Sequence, residues 1–448
     1  MTALFSRFTP SRATKRSEPT RPEPAPSKPT RSKPAPARPA RERTWRHLSP
    51  LLKLLILTQL AFNIGFFAVL PFLAEHLGTA IGMAGWLVGF VLGLRTFSQQ
   101  GLFVVGGWLV DRFGVRPVVL AGCALRIAGF AWLGHARATW AVIAAVLLIG
   151  FAAALFSPAV ESEVARQAVA WEEEGHGSRT RVLALLSAAG QAGAFIGPLL
   201  GALLLTVDFR TACLAGAGVF VLVLAGHARL MPQHIPGRVR VRSRGGALLL
   251  LRNRGFLALC CAYGGYLLAY NQLYLALPEE VERATGSQSA LSWLFALSSL
   301  LVVCGQLPVT RWAGQRFDLR RSMIGGLLLI AAGFTVVAVA LPAGWTGTAG
   351  LLPAAGYVVL LTLGQMLLVP AARAWVPDLA EEGRIGLYTG ALSSVSGLIV
   401  LIGSSVTGAL LDAGLPTPVP WLVLAGVTVL TVWLVPDRPD DGGTERTA

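Results

Sequence analysis

The chain has 448 residues, 54% of them hydrophobic and only 14% charged, and its mean hydropathy is +0.61. That balance excludes an ordinary water-soluble globular domain, in which about 25% of residues are charged. The formal charge of +15 does not mark a nucleic-acid partner, because the basic residues are confined to stretches between apolar runs.

Residues 1–46 hold twelve Lys or Arg, three Glu and nine Pro. With almost nothing apolar, this segment cannot bury enough surface to offset its ordering entropy. It is read as a disordered, basic, Pro-rich cytoplasmic tail, either solvated or resting on anionic lipid. It has no apolar core of the kind a secretory signal needs.

Twelve apolar runs follow, at 51–74, 83–109, 117–135, 139–160, 181–206, 211–230, 256–278, 289–313, 322–342, 350–372, 385–411 and 419–435. Each approaches or exceeds the roughly 20 residues that cross about 30 Å of hydrocarbon. An all-α membrane protein is therefore expected, with twelve transmembrane helices in two six-helix halves. The N-terminal half covers 47–230, a basic linker 231–255, the C-terminal half 256–436, and a short tail 437–448. Seven arginines without an acid lie between Arg229 and Arg254, and Arg112, Arg116, Arg179, Arg181, Arg316, Arg320, Arg321, Arg373 and Arg384 also follow even-numbered runs. The bias of Arg and Lys toward the inner side places both termini and the linker in the cytoplasm. Glycine, at 50 residues, is frequent inside the runs, where it lets helices approach closely in lipid. The five cysteines, all in apolar runs, have neither metal-ligand nor disulfide spacing.

The halves repeat each other at a shift of about 204 residues. Trp108, Arg112, Phe113 and Arg116 correspond to Trp312, Arg316, Phe317 and Arg320, and Ala128-Gly129-Phe130 corresponds to Ala332-Gly333-Phe334. Slightly larger shifts align Pro158-Ala159 with Pro370-Ala371, and Gly201-Ala202 with Gly408-Ala409.

Polar groups inside the runs are the candidates for a central cavity. In chain order they are Gln59 and Asn63 in the first run, Arg95 and Gln99 in the second, and Arg126 in the third. Tyr270 and Asn271 follow in the seventh, Gln306 in the eighth and Gln365 in the tenth. An arginine at mid-span costs at least about 2.5–3.5 kcal/mol unless paired or hydrated. Arg95 and Gln99, four apart, share a helix face as a polar cavity wall would require. Arg126 reads either as a cavity residue or as a structural tie. The tyrosines fit either a cavity or an interfacial belt.

GWLVDRFGVR at 107–116 resembles the loop signature of the major facilitator superfamily. Gly107 is read as a close-contact glycine and Gly114 as a tight turn, while Asp111, Arg112 and Arg116 are placed to bond neighbouring helix ends. The resemblance implies a latch that breaks when the protein switches conformation, with Glu161 as the partner of Arg112 and Glu163 as second choice. The second copy has Gln315 and Asp318 where the first has Asp111 and Gly114, so the latch is not symmetrical. Gly193, Gly197, Pro198 and Gly201 in the fifth run look like the antiporter signature of proton-coupled drug exporters. There a Gly-Pro pair bends the helix and the glycines pack it on a neighbour.

Residues from about 50 to 435 thus resemble the twelve-helix drug:proton antiporter family. The resemblance implies a secondary transporter of the bacterial cytoplasmic membrane that exports amphipathic small molecules by alternating access. A proton gradient would be its energy source, with no cofactor, no metal and no nucleic acid, and it would act as a monomer in the lipid bilayer. A dedicated metabolite carrier of the same fold is the alternative. A non-transporting receptor or enzyme is the remote one, since no phosphate-binding loop, HExxH helix or nucleophile elbow is present.

Overall fold

The structure is a computed structural model and describes residues 48–175, 179–231, 250, 252–380 and 385–436. Most of the linker 231–255 and the two tails, 1–46 and 437–448, therefore lie outside the described residues, as do the side chains of Asp111 and Arg179. The described residues are helical throughout, with no strand among them.

The N-terminal set comprises α1 (Pro50–Phe67), α2 (Gly85–Gly101), α3 (Phe103–Phe113), α4 (Val115–Leu133), α5 (Thr139–Glu173), α6 (Arg179–Leu205) and α7 (Phe209–Leu230). The C-terminal set comprises α8 (Arg254–Asn271), α9 (Ala276–Thr285), α10 (Leu291–Arg316), α11 (Leu319–Ala340), α12 (Gly347–Leu379), α13 (Ile385–Asp412) and α14 (Pro418–Val432). Among the described residues, nine helices are long and apolar enough to cross a membrane. The second, seventh and twelfth predicted runs are not among them. The second is broken at Leu102 into α2 and α3, the seventh is broken between Asn271 and Ala276 into α8 and α9, and α14 has 15 residues.

At the breaks, carbonyls of the interrupted helices accept hydrogen bonds from side chains of other helices. Ser394 of α13 donates to the Gly101 carbonyl at 2.9 Å, and the Tyr357 hydroxyl of α12 donates to the Ala269 carbonyl at 3.0 Å. The C-terminal ends of the fourth and tenth runs also lie beyond the expected ones. Helix α5 continues to Glu173 through Pro158, and α12 to Leu379 through Pro370 and Pro377. Glu161 therefore stands well inside α5 and not at its end, and Arg373 on helix and not on a loop.

The sequence repeat is visible in the packing. Gly122 and Gly129 of α4 face α5, where a Cβ on Gly129 would meet Ile149 Cγ1 at 2.7 Å. Their counterparts in the repeat, Gly326 and Gly333 of α11, face α12 in the same way, Gly326 against the Gly364 carbonyl at 2.7 Å. The paired phenylalanines Phe130 and Phe334 are both buried beside them.

The two sets meet along two seams. One joins α2 to α13, and there Gly85 also donates its backbone N–H to the Asp412 carboxylate. The other joins α6 to α10, where Ser292 Oγ donates to the Pro198 carbonyl at 2.9 Å.

Candidate functional site

Between the two sets lies a cavity of about 620 Å³. Gln59 and Asn63 of α1, Tyr270 of α8 and Gln365 of α12 line it, which brings four of the residues singled out from sequence into one place. Local geometry aids this, since the Asn63 amide donates to the Gln59 carbonyl at 3.2 Å and is thereby oriented on its helix. Two charged side chains share the wall, Glu161 of α5 and Arg373 of α12, both exposed to water. They do not form an ion pair with each other.

The cavity is open at one end and closed at the other. Glu161, Leu183 and Arg373 mark the open end. At the closed end the Phe67 and Phe295 rings meet across the two sets with centroids 6.3 Å apart, and Tyr274 stacks on Phe295 at 5.5 Å. The Pro198–Ser292 contact closes the same end, while the α2–α13 seam runs the length of α2, from Gly85 against Asp412 to Gly101 against Ser394.

Arg95, Gln99, Arg126, Asn271 and Gln306 do not line this cavity, contrary to expectation. Arg95 and Gln99 do share a face, the guanidinium donating to Gln99 Oε1 at 2.5 Å, but Arg95 is buried under the Phe66 ring, 4.3 Å from its centroid. From Arg95 a chain of hydrogen bonds runs to the α2–α13 seam. Arg95 donates to Thr96 Oγ1 at 3.4 Å, Thr96 to Asn271 Oδ1 at 3.1 Å, and the Asn271 amide to Ser404 Oγ at 2.8 Å. Thr96, Asn271 and Ser404 are all buried, so this chain ties α2 to α8 and α13 at the closed end. Arg126 sits inside the N-terminal set among Phe62, Phe220, Phe66 and Phe130, its guanidinium 4.2–5.5 Å from the four ring centroids. Gln306 turns along its own helix and donates to Thr310 Oγ1 at 3.0 Å.

The loop signature follows its reading at Gly114 and Arg116 and departs from it at Gly107 and Arg112. Gly114 makes the tight turn with φ +89°, and Arg116 donates to the Ala228 carbonyl at the end of α7 at 2.7 Å. Gly107 faces open space. Its neighbour Gly106 is the close-contact glycine, where a Cβ would stand 2.0 Å from the Ala154 carbonyl of α5. Arg112 lies over the Trp108 and Phe113 rings at 5.4 and 5.5 Å. It pairs with neither proposed acid in this conformation. Glu163 is held by Arg166 and Gln167 of its own helix, at 2.5–3.0 Å, and Glu161 points into the cavity.

Gly193, Gly197 and Gly201 of α6, each four residues from the next, form one stripe against α1. A Cβ on them would meet the Leu60 carbonyl at 2.6 Å, Phe67 Cβ at 2.7 Å and the Ala68 carbonyl at 2.3 Å. Sequence reasoning missed Arg373, Thr96 and Ser404. For Arg373 a signal existed, because it follows Pro370-Ala371 as Glu161 follows Pro158-Ala159 in the repeat.

Comparison with known proteins agrees with this architecture. The family model of the Major Facilitator Superfamily matches residues 51–279 and again 255–448. An uncharacterized MFS-type transporter of Mycobacterium tuberculosis H37Rv is 37% identical over 81% of this chain and 86% of its own length. Multidrug resistance protein MdtH of Escherichia coli O9:H4 is 32% identical, over 84% of this chain and 91% of its own. Among solved structures, a POT family transporter in complex with 5-aminolevulinic acid superposes with TM-score 0.70 at 15% identity, covering 86% of this chain and 95% of that one. A mutant of the nucleoside transporter NupG superposes with TM-score 0.72 at 13% identity, covering 86% and 99%. Two successive family matches, apolar helices and a cavity between two repeated sets lead to one conclusion: the chain is a multi-pass bacterial membrane protein and belongs to the Major Facilitator Superfamily of transporters.

Proposed function

We propose that this transporter exports amphipathic small molecules in exchange for protons, by alternating the access of one cavity between the two faces of the membrane. The observation that carries this reading is the cavity between the repeated halves, open at the Glu161–Arg373 end and sealed at the Phe67–Phe295 end. Its wall sets Gln59, Asn63 and Gln365 among Phe67, Tyr270 and Phe295, a mixture suited to molecules with both polar and aromatic parts. The multidrug resistance protein among its relatives supports drugs as the substrate class.

With α2 and α3 counted as one crossing, α8 and α9 as another, and α14 as the last, the chain crosses the membrane twelve times. Both termini then lie on the side to which the cavity opens, and the arginines after the even crossings put that side in the cytoplasm. The protein works as a monomer with the proton gradient as its energy source and no bound cofactor. Switching parts the α2–α13 and α6–α10 seams and closes the open end, where the 107–116 loop, Asp111 and Arg112 included, acts as the latch.

The test is accumulation of a fluorescent amphipathic drug in cells that express the chain, with and without a protonophore. Lower accumulation that the protonophore abolishes is the expected result. Accumulation equal to that of empty cells across a varied drug panel would replace drug export with carriage of a dedicated metabolite.

A further inference from the structure

We infer that the C-terminal half carries a site for an anionic phospholipid, in a groove between α10, α11 and α12 beside the turn that joins α10 to α11. The inference does not depend on what the transporter carries. It uses the orientation proposed above only to set this turn at the cytoplasmic leaflet, whose surface is negative.

The groove holds about 530 Å³, and Trp312 of α10, Phe317 of the turn, Arg321, Gly325 and Leu328 of α11 and Leu367 of α12 line it. Its two ends differ in character. At the turn, the Trp312 and Phe317 rings meet edge to face with centroids 5.2 Å apart, both partly exposed, as aromatic rings at a membrane interface are. Leu328, 48% exposed, stands about 10 Å further along α11 than Arg321 at roughly 1.5 Å of rise per residue, which leads from headgroup level into the acyl chains. Gly325 keeps the space between these ends open. A Cβ there would meet nothing within 4 Å, whereas one on the adjacent Gly326 would stand 2.7 Å from the Gly364 carbonyl of α12. One glycine packs the helices together, and the other leaves room against the bilayer.

Charge selects the occupant. From Arg311 to Arg321 the chain has arginines at 311, 316, 320 and 321 and a single acid, Asp318. The Asp318 carboxylate is engaged as the cap of α11, where it accepts the backbone N–H of Arg321 at 2.7 Å. The Arg321 side chain is exposed, and among the described residues no carboxylate lies within ion-pair distance of it. Arg316 lies over the Trp312 ring at 6.0 Å and adds a second cation at the same end. A guanidinium fork bonds two oxygens of a phosphate at once, while the ammonium of a zwitterionic lipid would stand among cations. A net negative headgroup at Arg321, with an acyl chain laid across Gly325, fits both ends of the groove. The first half does not repeat the arrangement, since Pro117 and Ala121 stand where Arg321 and Gly325 fall at the shift of about 204 residues.

The experiment uses the full chain, purified in detergent and stripped of lipid, and reads the binding of single lipids by native mass spectrometry. The probes are phosphatidylglycerol and phosphatidylcholine with the same acyl chains. Phosphatidylglycerol is expected to bind the more tightly, and Arg321→Gln to weaken it about fivefold while phosphatidylcholine is unaffected. Gly325→Leu, which fills open space, should weaken both lipids. Arg252→Gln, at an exposed arginine outside the groove, should weaken neither. Equal affinity for the two lipids would overturn the inference, as would undiminished phosphatidylglycerol binding in Arg321→Gln or an equal loss in Arg252→Gln. Displacement of phosphatidylglycerol by millimolar inorganic phosphate, with Gly325→Leu behaving as wild type, would replace the lipid with a free anion. Lipid-free dimers that Gly325→Leu splits would give the groove to a second copy of the chain and overturn the inference as well.

Discussion

Gly89 of α2 stands so close to Ser404 of α13 that a Cβ on the glycine would lie 2.0 Å from the serine carbonyl oxygen. Gly85 and Gly93, one turn to either side, approach the Gly408 carbonyl and Leu401 Cα at 2.7 and 2.8 Å in the same way. All these contacts lie between the two halves, so parting the halves relieves a clash without unfolding either. Gly89→Ala is therefore expected to disfavour the conformation described here by about 1–3 kcal/mol, the usual cost of overpacking. A shift of that size moves the balance between conformations by about 5- to 150-fold. Alkylation of a cysteine introduced by Phe295→Cys at the closed end should accelerate in the Gly89→Ala background, and an unchanged rate would show that the seam yields locally instead.

Gly201 of α6 gives the contrasting case, because its partner, the Ala68 carbonyl, belongs to the same half. No motion between halves relieves that contact. Alanine favours a helix over glycine by up to about 1 kcal/mol, but a Cβ 2.3 Å from a backbone oxygen forces α1 and α6 apart. The overpacking cost of about 1–3 kcal/mol is the larger effect. Gly201→Ala should lower the thermal unfolding temperature in detergent and leave Phe295→Cys alkylation unaltered. A raised unfolding temperature would mean that helix propensity outweighs the contact.

How much of this was legible in the sequence depends on what kind of force placed each residue. The helices, their grouping into halves and the loop turn at Gly114 follow from apolar length, repeat and one positive φ, all of which are local properties. Gln59, Asn63, Tyr270 and Gln365 reach the cavity because polar groups inside an apolar run have few other places to go. The same argument misplaces Arg95 and leaves Arg126 between cavity and structural tie, since phenylalanine rings can receive a guanidinium as water does and rings at this distance in sequence leave no pattern. The pairing of Glu161 with Arg112 comes from the resemblance alone, with Glu161 read at the cytoplasmic end of the fourth helix. Helix α5 instead continues to Glu173 and turns the carboxylate into the cavity. Thr96 and Ser404 look like ordinary small helix residues until α2 and α13 are side by side.

Arg126 separates two accounts of a buried cation. Only one hydrogen bond holds it, from Nη1 to the Ile149 carbonyl at 3.4 Å, while Nε and Nη2 have no partner among the described residues. Against the roughly 2.5–3.5 kcal/mol cost of a mid-membrane arginine stand ring contacts of about 2 kcal/mol when desolvated. The two nearly cancel. Arg126→Met, which keeps the volume and removes the charge, should change unfolding stability by no more than about 1 kcal/mol, as when buried ionic groups are replaced by apolar ones. Arg126→Lys keeps the charge but loses the flat guanidinium that fits between rings, and should be the less stable of the two. Both should retain pH-driven transport at equal expression. Loss of transport in a well-folded Arg126→Met would give Arg126 a part in the cycle.

The bonds that join Thr96, Asn271 and Ser404 make a last prediction about the closed end. Asn271 accepts from Thr96 and donates to Ser404, so among the described residues it is the side chain whose hydrogen bonds join α8 to both α2 and α13. Thr96 retains a bond to the Leu92 carbonyl of its own helix at 3.2 Å, which lessens the penalty it suffers when Asn271 is removed. Asn271→Ala should weaken the closed end by about 1–2 kcal/mol, the worth of the bonds lost and the group left unpaired. Like Gly89→Ala, it should speed alkylation at Phe295→Cys. Because Ser404→Ala removes one of the same two bonds, the double variant should be weakened by less than the sum of the singles. Full additivity would mean that the 2.8 Å contact between Asn271 and Ser404 contributes nothing to holding the halves together.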